Sequence, residues 1–241
     1  MQNKPTQKLD RGMLNQIASI NLQELKTSLD ELLRTDPSVR KVLLISPVGD
    51  DYRFIHQHFP QFDLYITEIH DWNLDERCQL RLGAFDLAIA SNVMMYSRDP
   101  QLWIDHILEV SRYFAVQDLV YRKRSAKPPY LGDDMEAVRY CHSGRGVSTS
   151  FPTPFDLNNV QQPLRYFKTY AGGMNEFHEP GDTPVHFVAI ISTPEGQTVS
   201  VPPASAGQQR RFKLRNLIFG SEALHKPYRA LLKVGRWLRR S

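Results

Sequence analysis

Short, unbroken apolar runs alternate along this chain with stretches in which apolar positions recur every three or four residues. The first periodic stretch is residues 16–34, where Ile17, Ile20, Leu25, Leu29, Leu32 and Leu33 share a face and Lys26, Asp30 and Glu31 lie between them. That spacing predicts an amphipathic helix, stopped by Asp36-Pro37. Lys41 to Ser46 (KVLLIS) is then almost continuously apolar, the mark of a parallel strand covered on both faces. A turn follows at Pro47 to Asp51, and Tyr52 to Phe59 reads as a short helix.

Phe62 to Thr67 (FDLYIT) and Phe85 to Ala90 (FDLAIA) are the next strand candidates. Beyond them, Leu102, Trp103, Ile107, Val110 and Phe114 form the apolar face of a helix whose other side carries Asp105, Glu109 and Arg112, and Asp118 to Arg122 (DLVYR) returns as a fourth strand. Ser125 to Pro163 is rich in Pro, Gly, Ser, Asp and Asn, with one helix candidate at Met135 to Cys141, and suits a lid or substrate-side insertion. Leu164 to Tyr170 and His186 to Ser192 read as an antiparallel pair at the sheet edge. Strands and helices alternating at these spacings predict an α/β fold, doubly wound around a mainly parallel sheet, with ligand chemistry at the carboxyl ends of the strands.

The 241 residues suffice for one such domain with appendages. Two cysteines, Cys78 and Cys141, make no disulfide framework, and no C-x-x-C or clustered His/Cys spacing suggests a metal. Met1 to Arg11 is polar and lacks the apolar core of a signal peptide, and the apolar stretch around His186 to Ile191 falls short of the roughly 20 residues a membrane span needs. These features predict a cytoplasmic protein.

Charge divides the chain. The net of +4 hides ten basic residues against one acid, Glu222, in residues 210–241, which leaves residues 1–209 at −5. The expected organisation is a helical lead-in (1–37), an α/β domain (38–193, with the insertion at 125–163), a Pro/Ser/Gly/Gln linker (194–209) and a basic amphipathic tail (210–241). From Leu224 onward, Lys226, Arg229, Lys233, Arg236 and Arg240 recur at steps of three and four, with Leu224, Tyr228, Leu231, Leu232, Trp237 and Leu238 on the other side and Pro227 in the first turn. Phe212, Leu214, Leu217, Ile218 and Phe219 form an earlier amphipathic stretch. A cationic amphipathic helix with an interfacial Trp fits an anionic membrane surface. The same tail fits an acidic protein surface, its own domain included, or a nucleic-acid backbone, although its aliphatic and aromatic content favours lipid or protein over phosphates.

The order of elements over about residues 38–193 resembles the class I S-adenosylmethionine-dependent methyltransferases, whose fold is Rossmann-like. The segment FDLAIASNVMMYSRDPQLWIDHILEVSRYFAVQDLVYRK is similar to that family's fourth strand, cofactor loop, following helix and fifth strand. FDLNNVQQPLRYFKTY with HFVAIIS is similar to the helix and strand hairpin that give the family its antiparallel finish.

The resemblance implies S-adenosylmethionine as cofactor and assigns residues around it. The family carries an acid at the end of its first strand, which helps hold the cofactor's amino-acid end, and then a Gly-x-Gly turn that lets the backbone approach. Here Ser46 stands at the acid's position, Gly49 is the turn's glycine, and Asp51 or its neighbour Asp50 offers a carboxylate nearby. Glu68 matches the acid that accepts hydrogen bonds from the ribose hydroxyls, and Trp72 either stacks on adenine or caps the core. Ser91, Asn92 and Val93 border the cofactor in the fourth-strand loop. Tyr96 beyond them faces the methyl group or the substrate, or else joins Met94 and Met95 in covering the core. Only 16 residues separate Glu68 from Phe85, where the family fits a further helix and strand, so one sheet strand is expected to be missing or vestigial.

Methyl transfer needs an in-line nucleophile and sometimes a general base. The base candidates are His142, Glu176 and His178, with His186 behind them; a lone loop histidine is more often a surface residue than a catalyst, and the loop that carries Glu176 and His178 reads as easily as pure surface. Two functions are open: a methyltransferase at the inner membrane surface acting on a small-molecule, lipid-linked or surface-polysaccharide acceptor, and a non-catalytic relative that uses the fold for binding or assembly.

Overall fold

The computed structural model describes residues 11–47, 49–67, 72, 74, 77, 83–91, 93, 99–119, 138–141, 147–150, 160–171, 185–195, 199, 206–221, 223–225 and 227–228. Helix α1 (Arg11–Thr35) buries Leu25, Leu29 and Leu32 of the predicted stripe, with Leu33 half-buried and Ile20 exposed, and closes with the Asp36 amide on the Leu32 carbonyl at 2.7 Å. Strand β1 (Lys41–Ile45), helix α2 (Gly49–His58) and strand β2 (Asp63–Thr67) follow, then β3 (Phe85–Ser91) and α3 (Pro100–Leu108). Asp99 caps α3 by accepting the Leu102 amide at 3.1 Å, with Pro100 in the first turn.

The helix expected to run on to Phe114 ends at Leu108, and β4 occupies Ser111–Leu119, well before the expected Asp118. Val110 and Phe114 are buried as expected, but Phe114 is buried from a strand. The run YFAV is apolar without a break, and such a run satisfies a buried strand as readily as a helix face. Val138–Cys141, expected to be helical, is strand β5, paired antiparallel with β6 (Val147–Ser150) in a separate two-stranded sheet. Strands β7 (Leu164–Ala171) and β8 (Val185–Ser192) form the predicted antiparallel pair, and α4 spans Ala206–Gly220.

The main sheet has the order β2-β1-β3-β4-β8-β7. The first four strands are parallel, β8 runs antiparallel to β4, and β7 is antiparallel to β8. On one face, α1 and α2 cover Val42, Leu44, Leu64, Ile66, Leu87 and Ile89; on the other, α3 covers Leu43, Ile45, Phe85, Phe114 and Val116. This is a doubly wound α/β fold with an antiparallel finish, the arrangement that the resemblance to class I methyltransferases implies.

Helix α4 begins inside the expected linker and wraps the free edge of β2. Phe212 joins the α3-side core and Phe219 the opposite core, seven residues or about 10 Å further along the helix. Between them Arg215 and Asn216 reach the strand. Asp63, Tyr65 and Thr67 face β1, so the carbonyls of Leu64 and Ile66 point outward. Arg215 Nη1 donates to Ile66 O at 3.1 Å and Asn216 Nδ2 to Leu64 O at 2.5 Å. In a doubly wound sheet of order 3-2-1-4-5-6 that edge is the place of the third strand. Among the described residues, two side chains of α4 stand there.

Candidate active site

Chain order reverses at β1, with β2 on one side and β3 on the other, so the crevice between the carboxyl ends of β1 and β3 is where this architecture binds ligands. Registry brings the strand ends level. Ile45 pairs with Thr67 on one side and Ala90 on the other, and Ser91 pairs with Gln117. Ser46, Thr67, Ser91, Gln117 and Asp118 thus form a polar row at the end of an otherwise apolar sheet. His186, at the start of the antiparallel β8, pairs with Leu119 and lies at the same end.

Ser46 leaves β1 with φ of 47°, the one non-glycine with positive φ among the described residues. Its amide donates to Thr67 O at 2.7 Å, tying the turn to β2. Holding serine in this region costs about 1–3 kcal/mol, a strain that persists where the surroundings fix the backbone and that clusters at ligand sites. The chain then enters α2 with Asp50 and Asp51 in its first turn, where the helix dipole favours carboxylates. Asp50 is also paired with Arg53. Two carboxylates at this helix start suit a pyrophosphate less well than a glycine-rich turn would.

Thr67 is 1% exposed, and its hydroxyl has no hydrogen-bond partner among the described residues. A buried orphan hydroxyl at the last residue of a strand beside the ligand crevice is a polar group ready for a ligand or an ordered water. Its signal in the sequence was the threonine closing the run FDLYIT, next to Glu68. Gln117 is a second group that motif reading missed: a lone amide inside YFAVQDL. It donates from Nε2 to Asn21 O and to Tyr170 Oη, each at 2.7 Å, and Tyr170 Oη donates to Asn21 Oδ1 at 3.1 Å. Burial raises the Tyr170 phenol well above its ordinary pKa, so it stays neutral and serves as a hydrogen-bonding strut. The ring of Tyr170 stacks on His186, centroids 5.6 Å apart. The triad therefore anchors α1, β4 and β7 to one another beneath the carboxyl end.

Of the residues expected at the cofactor, Ser46 directly after β1, Gly49 and Asp51 in α2 and Ser91 closing β3 lie at this end of the sheet. Val93 is buried in the α3-side core. Trp72 is 3% exposed and belongs to the same core with Leu74, whose carbonyl is held by His106 Nδ1 of α3 at 2.8 Å. Glu68, Asn92, Tyr96, His142, Glu176 and His178 lie outside the described residues. Among the described residues no group of His, Cys, Asp or Glu could hold a metal ion, and no helix is long and apolar enough to cross a membrane.

No family model matches the chain, and no curated protein matches it. Solved structures that it resembles include the magnesium protoporphyrin IX methyltransferase of Synechocystis PCC 6803 with bound SAH, at 8% identity and a TM-score of 0.44 over 78% of this chain and 89% of that one. The CurJ carbon methyltransferase is similar at 12% identity and a TM-score of 0.47, over 74% of this chain and 55% of that one. The plantazolicin methyltransferase BpumL in complex with SAH is similar at 9% identity and a TM-score of 0.41, over 76% and 90% of the two chains. At such identities and scores the likeness assigns neither substrate nor chemistry to this chain.

Proposed function

We propose that the chain is an S-adenosylmethionine-dependent methyltransferase whose acceptor is a small molecule or a lipid-linked or surface-polysaccharide precursor at a membrane surface. The observation that carries this reading is the turn at the switch point: strained Ser46, then a helix opening on Asp50 and Asp51. Dinucleotides present pyrophosphate to such a turn, whereas S-adenosylmethionine presents an ammonium and a carboxylate and has no phosphate. The Thr67 hydroxyl adds an unused polar group on the adjacent strand. Bound there, the cofactor supplies an electrophilic methyl on a sulfonium. Glu68, directly after Thr67, is positioned in sequence to accept hydrogen bonds from the ribose hydroxyls; Asp51 supplies charge for the ammonium; Ser91 and Asn92 border the cofactor. Tyr96, His142, Glu176 and His178 are the candidates for orienting or deprotonating the acceptor.

A second reading, a non-catalytic relative used for binding or assembly, is favoured by one residue. Ser46 offers a hydroxyl at the position where the resemblance implies a carboxylate. Equilibrium dialysis of labelled S-adenosylmethionine against the full chain separates the two. Retention that is competed by the demethylated product and not by NAD supports the enzyme; a folded chain that retains no label leaves the binding module.

A further inference from the structure

Helix α4 is fixed to the domain along one side, and what it presents on the other is unlike an ordinary solvent face. Phe212, Arg215 and Phe219 are buried against the sheet edge. Arg210, Lys213, Leu214 and Leu217 project the opposite way, within an arc of about 100° given 3.6 residues per turn. Leu214 is 57% exposed and Leu217 is 62% exposed, one turn apart, while Arg210, Arg211 and Lys213 are exposed beside them. No acid occurs anywhere in Ala206–Gly220. Beyond the helix, residues 221–241 add six further Lys and Arg against Glu222 alone.

We infer that this outer face of α4 is the docking surface for an anionic lipid bilayer, with Leu214 and Leu217 inserting at the headgroup boundary while Arg210 and Lys213 contact lipid phosphates. Two exposed leucines on a convex helix face can enter a bilayer, which needs no shape complementarity, whereas a stable protein interface needs it. The cations match an anionic surface, and the stems of Arg and Lys let charged ends stay at phosphate level while the leucines enter. Because Arg215 and Asn216 hold the helix to β2, insertion also fixes the orientation of the sheet on the membrane. The inference rests on the membrane-surface reading above and specifies which residues make the contact.

The test is flotation of the full chain with vesicles of phosphatidylcholine containing phosphatidylglycerol, compared with pure phosphatidylcholine. The wild type is expected to float with the anionic vesicles only and to be released by salt. Leu214→Ser with Leu217→Ser, both exposed and in neither buried core cluster, is expected to lower partitioning roughly tenfold or more. Lys213→Glu should lower it as well, and serves if the leucine variant fails to fold. A wild type that floats together with variants that float equally well overturns the inference and leaves membrane association to residues 221–241. A wild type that ignores anionic vesicles overturns the membrane reading too, without touching the methyltransferase assignment. If the leucine variant then turns a dimer into a monomer in sedimentation, the face belongs to a second copy of the chain.

Discussion

Arg215 donates to the carbonyl of Ile66 across the free edge of β2, and with Asn216 on Leu64 it hydrogen-bonds both outward carbonyls of that strand. The relationship explains why a basic sequence that reads as a detachable tail is partly interior. Arg215 is 7% exposed, so its charge is tolerated because a carbonyl accepts from it.

Arg215→Ala is expected to cost about 2 kcal/mol of stability, the typical worth of a buried bond from a charged donor. Urea denaturation measures it. A chain ending at residue 205 should expose the β2 edge and self-associate; if it stays monomeric and as stable as the full chain, α4 is an ornament on the edge.

Thr67→Val replaces the orphan hydroxyl by a methyl of similar shape. Without ligand the variant should gain roughly 1 kcal/mol, because a buried polar group that satisfies nothing is removed. It should at the same time bind S-adenosylmethionine about fivefold more weakly, the loss of one hydrogen bond. Gain and loss together mark Thr67 as a ligand contact, whereas unchanged affinity makes it a packing residue.

Ser46 provides a backbone test. Ser46→Gly fits the left-handed turn and should stay within about 1 kcal/mol of wild type, since relieved strain and added unfolded-state entropy nearly cancel. Ser46→Val, β-branched at positive φ, should lose about 2 kcal/mol. Equal thermal midpoints for the two variants would show that the turn relaxes freely.

At the opposite end of the sheet, Arg112 bridges Asp36 at 3.1 Å and Asp86 at 3.2 Å, and Asp86 accepts the amides of Arg40 and Lys41. Burial by itself would raise the Asp36 carboxyl, but bonds from the Ser38 hydroxyl and amide and from Tyr113, together with the Arg112 charge, hold it below its ordinary value. A depressed carboxyl stabilises the fold fully above its unfolded pKa of about 3.9 and loses that contribution as pH falls through the lower folded value. Asp36→Asn should therefore be less stable than wild type at neutral pH, with the gap closing in acid. A gap that persists unchanged below about pH 3 contradicts this.

Three of the four parallel strands were legible because KVLLIS, FDLYIT and FDLAIA are apolar runs with clear ends. The terminal hairpin was legible for the same reason. The division between α3 and β4 was not, since YFAV satisfies either period and only pairing with β3 and β8 decides it. The hairpin β5–β6 was hidden for a related reason: four-residue strands carry little periodicity. At the carboxyl end of the sheet, Ser46 and Ser91 were expected through the resemblance. Thr67 and Gln117 were overlooked because a single polar residue in an apolar run is conspicuous only once its burial is known. The docking of α4 was hidden by charge, which made Arg215 look like its exposed neighbours.

Calorimetric titration of the full chain with S-adenosylmethionine and its demethylated product asks whether the crevice at the β1–β3 switch point takes this cofactor. Saturable heat is expected with both ligands, strongly weakened in Glu68→Ala. No heat and no thermal shift at millimolar ligand would contradict it.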